Sequence, residues 1–248
     1  MQTCCAMPDK ATFLHPLNVT REERLERLIV VTRGRYASDD PGHDWTHVER
    51  VVRSCQELGG VAGADLSLLV PAALLHDVVN RPKDDPARLL ASRDAADEAA
   101  RLLSQAGYSH GEILRICSIV LEHSYTAGRA PSSLESAILQ DADRLDALGA
   151  VGILRAATCG ARLGAAYYHS DDPFARDRQL DDFRYTLDHF YTKLLTLPET
   201  LNTEAARREA ERRVVFMGEF LAELGREIGA SANARPAVNP RLVECDEK

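Results

Sequence analysis

Leu68-Leu-Val-Pro-Ala-Ala-Leu-Leu-His76-Asp77 is a strongly apolar helical run that ends on an imidazole and a carboxylate. Asp65 stands ahead of it as a helix cap. An ionised Asp buried at the end of such a helix costs several kcal/mol unless positive charge meets it. The placement is awkward twice over, because a negative charge opposes the macrodipole at a helix C-terminus. A divalent metal supplies the missing charge. One more His and one more carboxylate would complete a set of N/O donors, and the chain carries His47 upstream and Asp141-Ala142-Asp143-Arg144 downstream.

Outward from this run, nearly every periodic segment reads as helix. Thr20-Arg-Glu-Glu23 is a capping box that opens a helix through about Tyr36, with Leu25, Leu28, Ile29 and Thr32 on one face. A second helix starts near Asp44, carries Val48, Val51, Val52, Cys55 and Leu58, and is expected to end at Gly59-Gly60. After the apolar run, 80–86 form a charged, Pro-bounded loop. Ser92 or Asp94 opens an Ala-rich helix ending near Gly107. Ser109-His-Gly-Glu112 and Ser132-Ser-Leu-Glu135 are further capping boxes, and the second leads into the helix that carries Asp141 to Asp146. A long Asp-rich loop is expected over 164–180, then helices over 182–195 and 203–228. No strand hairpin and no internal repeat is evident. The expected fold is all-α, one compact helical bundle spanning 20–228, between an N-terminal extension (1–19) and a flexible C-terminal tail (229–248).

Bulk properties fit that reading. A chain of 248 residues with 45% hydrophobic and 27% charged residues can bury a substantial single core. A formal net charge of −8 argues against a nucleic-acid polymer as partner. A small anionic substrate stays open, because a metal and a few local Arg or Lys reverse the field near it. The six cysteines include no C-x-x-C pair and read as reduced thiols rather than a disulfide framework or zinc ribbon. No apolar leader and no membrane-length segment is seen, so a cytoplasmic protein without membrane attachment is expected.

The donors fall in an order that suits one ion. In His43-Asp-Trp-Thr-His47-Val-Glu-Arg50, residues 43, 47 and 50 lie on neighbouring turns of one face. A His near the start of one helix, a His-Asp at the end of the next and an Asp from a third can converge. Neutral imidazoles with carboxylates suit Mn, Fe, Co, Ni or Zn better than Ca or Mg. Each residue also has a bland reading as a packed or solvated side chain, but the order H…HD…D leaves that reading weak. Helical geometry does not choose between Asp141, on the stripe Leu134, Ile138, Leu145 and Leu148, and Asp143, beside Leu139, Asp146 and Ala150.

The pattern resembles the HD-domain superfamily of metal-dependent phosphohydrolases. His43-Asp44-Trp45-x-His47-x-x-Arg50-Val51, Leu75-His76-Asp77, Glu122-His123-Ser124 and Asp141-Ala142-Asp143-Arg144-Leu145-Asp146-Ala147 are similar to one bacterial subfamily. So are Pro82-Lys83-x-x-Pro86-x-Arg88, Asp188-His189-Phe190-Tyr191-x-Lys193-Leu194-Leu195 and Ala210-Glu211-Arg212-Arg213. The likeness covers roughly 20–228. It implies His47, His76 and Asp77 as metal ligands and favours Asp143 as the fourth, with Asp141 or Asp146 orienting them. His76 and Asp77 are the expected catalytic pair, His76 anchoring the ion and Asp77 also positioning water.

The implied activity is hydrolysis of a small phosphoester or phosphoanhydride, a nucleotide foremost, by metal-activated water, with manganese the first choice of cofactor. Arg50, Lys83, Arg88, His123 and Lys193 are the candidates to meet the substrate's charge. No nucleophile elbow or Gly-rich phosphate loop is present, which leaves water as the attacking group. Two other functions compete. One is an HD-type di-iron oxygenase, for which His123 would have to help hold a second metal. The other is a non-catalytic nucleotide-binding regulatory module, which a missing ligand would favour. Hydrolysis of an alarmone nucleotide ranks low, since the chain has no room for a separate synthetase domain. Oligomeric state is not legible.

Overall fold

A computed structural model describes residues 19–36, 43–79, 90–124 and 128–230. Among them the architecture is all-helical: α1 (Arg21–Arg33), α2 (Trp45–Ala62), α3 (Leu66–Leu75), α4 (Ala91–Ala106), α5 (His110–Glu122), α6 (Leu134–Asp146), α7 (Gly149–Arg162), α8 (Asp188–Thr192) and α9 (Glu204–Glu227). Short 3-10 turns follow α1 (Gly34–Tyr36) and α8 (Leu194–Thr200). The only bridge of sheet type among these residues is an isolated parallel one, Ala166 with Tyr185.

The apolar run is the axis of the molecule. Every residue of α3 from Leu68 to Leu75 is buried, and the helix packs against α1, α2, α5 and α6. Those neighbours are one-sided: α2 turns Val48, Val51, Cys55 and Leu58 inward, and α6 turns Ile138, Leu139, Ala142 and Leu145 inward. An all-apolar helix is stable only when others cover it on every side, so its composition dictates its central place.

Local signals hold most boundaries. The Thr20/Glu23 and Ser109/Glu112 capping boxes both form. Glu112 also accepts from Arg24 Nη1 at 2.9 and 3.1 Å, which ties α1 to the start of α5.

Three readings differ from expectation, and the end of the helix carrying Asp141 to Asp146, which the sequence left open, is set. α2 runs through Gly59-Gly60 to Ala62 and stops at Gly63, whose φ of 72° is the left-handed conformation that ends a helix. α6 is capped by Ser133, while Ser132 and Ser136 hydrogen-bond Glu122 at the end of α5. The helix carrying Asp141 ends at Asp146, and α7 starts at Gly149 after a two-residue turn. Over 182–195 the long helix is replaced by turns, five residues of α8 and a 3-10 segment. There the N–H groups of Thr186 and Leu187 donate to the carbonyls of Ala166 and Tyr167 at 2.9 Å rather than to the preceding turn. Asp188, fully buried, is held by an Arg178 fork (Nη1–Oδ2 2.5 Å, Nη2–Oδ1 2.7 Å) and by the Asp181 N–H.

Candidate metal centre

Three helix ends converge beside the axis. Asp44 caps α2 by accepting the His47 N–H at 3.0 Å, which places His47 in the first turn with its ring wholly buried. His76 and Asp77 leave the C-terminal end of α3. The buried Tyr36 hydroxyl holds that exit, donating to the Leu74 carbonyl at 2.9 Å and accepting from the Asp77 backbone N–H. Asp143 arrives from the last turn of α6.

The side chains form a ring of donors. His47 Nε2 and His76 Nε2 stand 3.1 Å apart. Asp77 Oδ2 is 3.8 Å from both, and Asp143 Oδ1 is 3.7 Å from His47 Nε2 and 4.0 Å from His76 Nε2. His47, His76 and Asp143 each turn one ligand atom to a common point within 4.8 Å of one another. The other ring nitrogens are occupied. His76 Nδ1–H donates to the Ala73 carbonyl at 2.8 Å, and His47 Nδ1–H donates to Asp146 Oδ2 at 2.7 Å. Each tautomer therefore leaves an Nε2 lone pair facing the ring. Burial also pushes His76 down to about 4, against the pull of Asp77, so its imidazole is neutral near pH 7.

His123, at the end of α5, repeats the arrangement one step outward. Its Nδ1–H donates to the Val120 carbonyl at 2.6 Å, and its Nε2 lies 3.4 Å from Asp77 Oδ1. His43 Nε2 approaches the other oxygen, Asp77 Oδ2, at 3.9 Å.

Behind His47 sits a buried carboxylate with three cationic or N–H neighbours. Besides His47, Asp146 accepts from Arg50 (Nε–Oδ1 2.6 Å, Nη2–Oδ2 3.0 Å) and from Arg155 Nη1, which also stands 3.0 Å from His47 Nδ1. Burial opposes this charge, but the hydrogen bonds from His47 and Arg50, with the Arg155 charge, hold the carboxyl well below the usual range. Asp141 is engaged elsewhere. Its two oxygens accept from the Asn202 and Thr203 N–H groups, both at 2.8 Å, from Asn202 Nδ2 at 3.0 Å and from Thr203 Oγ1 at 2.7 Å. It fastens the start of α9 and faces away from the ring.

Of the residues singled out in the sequence, His47, His76, Asp77, Asp143 and His123 come together. Arg50 lies next to them, but its guanidinium is spent on Asp146 and on Thr46 Oγ1. Lys193 is half-buried at the C-terminal end of α8 and has no part in the donor ring. Lys83 and Arg88 lie outside the described residues. Tyr36 and Arg155 carry no local motif. Their roles depend on distant partners, which no local pattern announces.

The family model for the HD domain matches residues 44–148, which include all four donors of the ring. Bacillus subtilis YpgQ, described as uncharacterised, is 34% identical over 210 residues, 83% of this chain and 94% of that protein. The chain belongs to the HD-domain superfamily. The HD fold is shared with solved structures too. The complex of YpgQ with ADP covers 84% of this chain and 96% of its own, with 29% identity and a TM-score of 0.66. An HD-superfamily hydrolase of Bacillus thuringiensis covers 86% and 100%, with 32% identity and the same TM-score. No described helix of this HD protein is long and apolar enough to cross a membrane.

Proposed function

We propose that the protein is a metal-dependent phosphohydrolase acting on a small phosphorylated substrate, a nucleotide in particular. The observation that carries the reading is the donor ring: two buried imidazoles with Nε2 turned inward, and two carboxylates facing them. Donor separations of 3.1–4.0 Å suit side chains that share one ion. Bonds of about 2.0–2.2 Å from a central ion put neighbouring ligands roughly 3–3.5 Å apart, so small rotamer adjustments close the set. Two neutral N and two anionic O donors fit a first-row divalent ion, manganese being our choice.

His47, His76, Asp77 and Asp143 are the proposed ligands. An ion held there supplies Lewis acidity toward a phosphoryl oxygen and toward water. The chain's own groups do the rest. Asp77 stands at the edge of the ring with His123 against its second oxygen, so together they orient the attacking water for in-line approach to phosphorus. That water forms the new P–O bond as the bond to the leaving group breaks. Asp146 keeps the His47 ring turned to the ion. The ADP complex of the relative YpgQ supports a nucleotide as the ligand class.

The test is a release screen for phosphate and pyrophosphate over nucleoside mono-, di- and triphosphates, with Mn, Co, Ni, Mg or no metal. Release is expected with Mn and lost with chelator or in Asp77→Ala. Equal turnover without metal, or in Asp77→Ala, overturns the mechanism and the ligand set.

A further inference from the structure

Arg155 is the cation least explained by packing. Asp146 is already matched by Arg50 in a two-point fork, and the Asp44 carboxylate that caps α2 also lies within electrostatic reach of Arg50. A structural ion pair needs nothing more. Yet α7 brings a second guanidinium to the same Oδ2 that receives the His47 N–H. The one hydrogen bond Arg155 makes, to Asp146, comes from Nη1, the nitrogen that also stands beside His47 Nδ1. A sixth of the side chain (17%) stays open, against 4% for Asp146 and none for His47. A guanidinium presents five N–H donors in a flat fork, so Nε and Nη2 keep their donors for another partner. If a divalent ion in the ring is balanced by Asp77 and Asp143, Arg155 is the positive charge left over at its edge.

We infer that Arg155 serves two partners. Through Nη1 it holds Asp146 on His47 and so positions a metal ligand, and with its open edge it binds an anionic oxygen of the substrate's phosphate. Arg50 is less suited to the second task, since each of its three nitrogens already donates to Asp146 or Thr46. The inference rests on the hydrolase reading above and names the residue that reads the phosphate charge. It also links occupancy of the two ligands: a phosphate on Arg155 and an ion on His47 share one carboxylate, so each helps hold the geometry that the other requires.

The test reads binding rather than turnover. Manganese is titrated calorimetrically into wild type, Arg155→Gln and Arg155→Lys, and pyrophosphate is then titrated into each manganese-loaded protein. Arg155→Gln is expected to weaken manganese binding about tenfold, as loss of a ligand's supporting partner does, and to weaken pyrophosphate binding tenfold or more. Arg155→Lys keeps the charge without the fork and is expected to recover part of both losses. If the Gln variant fails to fold, a severalfold loss of manganese affinity in the Lys variant decides the same point. Wild-type affinities in either titration, beside a wild type that binds manganese and releases phosphate, overturn the inference and leave the hydrolase reading standing. Both affinities weakened in a protein whose wild type hydrolyses no nucleotide would do the reverse.

Discussion

His47 Nδ1 and Asp146 Oδ2 stand 2.7 Å apart across 99 residues of chain, and this bond decides which imidazole nitrogen faces the donor ring. An amide at 146 offers His47 either an oxygen or a competing N–H, and leaves Arg50 and Arg155 short of negative charge. Asp146→Asn is expected to cut manganese affinity by about ten- to a hundredfold. It should also lower unfolding stability by about 3 kcal/mol, as removal of one member of a buried charge cluster does. Calorimetric titration and urea unfolding measure the two effects. Unchanged manganese affinity would show that His47 needs no partner.

Asp141 and Asp143 are two residues apart and should fail in opposite ways. Asp141→Ala strips four hydrogen bonds from the start of α9 and is expected to cost about 3 kcal/mol of stability with manganese binding retained. Asp143→Ala should leave the metal-free protein at least as stable, since it removes a carboxylate from a crowded anionic site. It should abolish the stabilisation that saturating manganese gives wild type, roughly 3 kcal/mol at a hundred times the dissociation constant. Thermal melts with manganese and with chelator separate the cases.

Gly152 sits where α7 turns back on the end of α6. A methyl group there would lie 2.1 Å from the Ala147 carbonyl oxygen, inside contact distance and against backbone that cannot step aside. Gly152→Ala is expected to destabilise by at least 1–3 kcal/mol. Because α7 carries Arg155 to Asp146, nucleotide hydrolysis should fall further than stability predicts. Urea unfolding with a parallel assay checks both.

Asp188 is the anchor of the long segment between α7 and α8. Replacing it with Asn loosens the Arg178 fork and weakens the bond from the Asp181 N–H. Limited proteolysis should cut Asp188→Asn within 164–187 at least severalfold faster than wild type. Equal cleavage would mean that the backbone bonds from Thr186 and Leu187 suffice.

Glu122 links α5 to α6 by accepting from Ser132 and Ser136. Burial works against its charge, but the hydrogen bonds from Ser136 and Ser132 prevail and lower its pKa. A carboxyl depressed by folding contributes stability that is present above its unfolded pKa, near 4.3, and is lost as pH falls through its folded value. Glu122→Gln should therefore narrow the gap between stability at pH 7 and pH 3. Denaturant melts at the two values test it, and an unchanged gap counts against the assignment.

Much of the fold was legible in the chain because its causes are local. The period of apolar residues, two capping boxes and the wholly apolar composition of 68–75 each act within a few residues, and they placed α1, α3, α4, α5 and α9 closely. Beyond the end of α2, which the left-handed Gly63 sets locally, the misread elements have non-local causes. The 182–195 helix was lost because two N–H groups found carbonyls at 166 and 167. Ser132 was drawn off its cap by Glu122 of another helix.

The same division runs through the site. Residue types and their order sufficed for the family and for nominating His47, His76 and Asp77 as candidates, since an ionised Asp at the end of a buried helix demands a cation wherever the rest of the chain goes. Tertiary packing set Asp143, which the resemblance favoured, beside the ring and turned Asp141 away, paired Arg50 with Asp146, and brought in Tyr36 and Arg155. Those outcomes depend on where a side chain's partner stands, and that partner lies on another helix tens of residues away. Helical periodicity sets the face a residue occupies; it carries no information about what waits opposite.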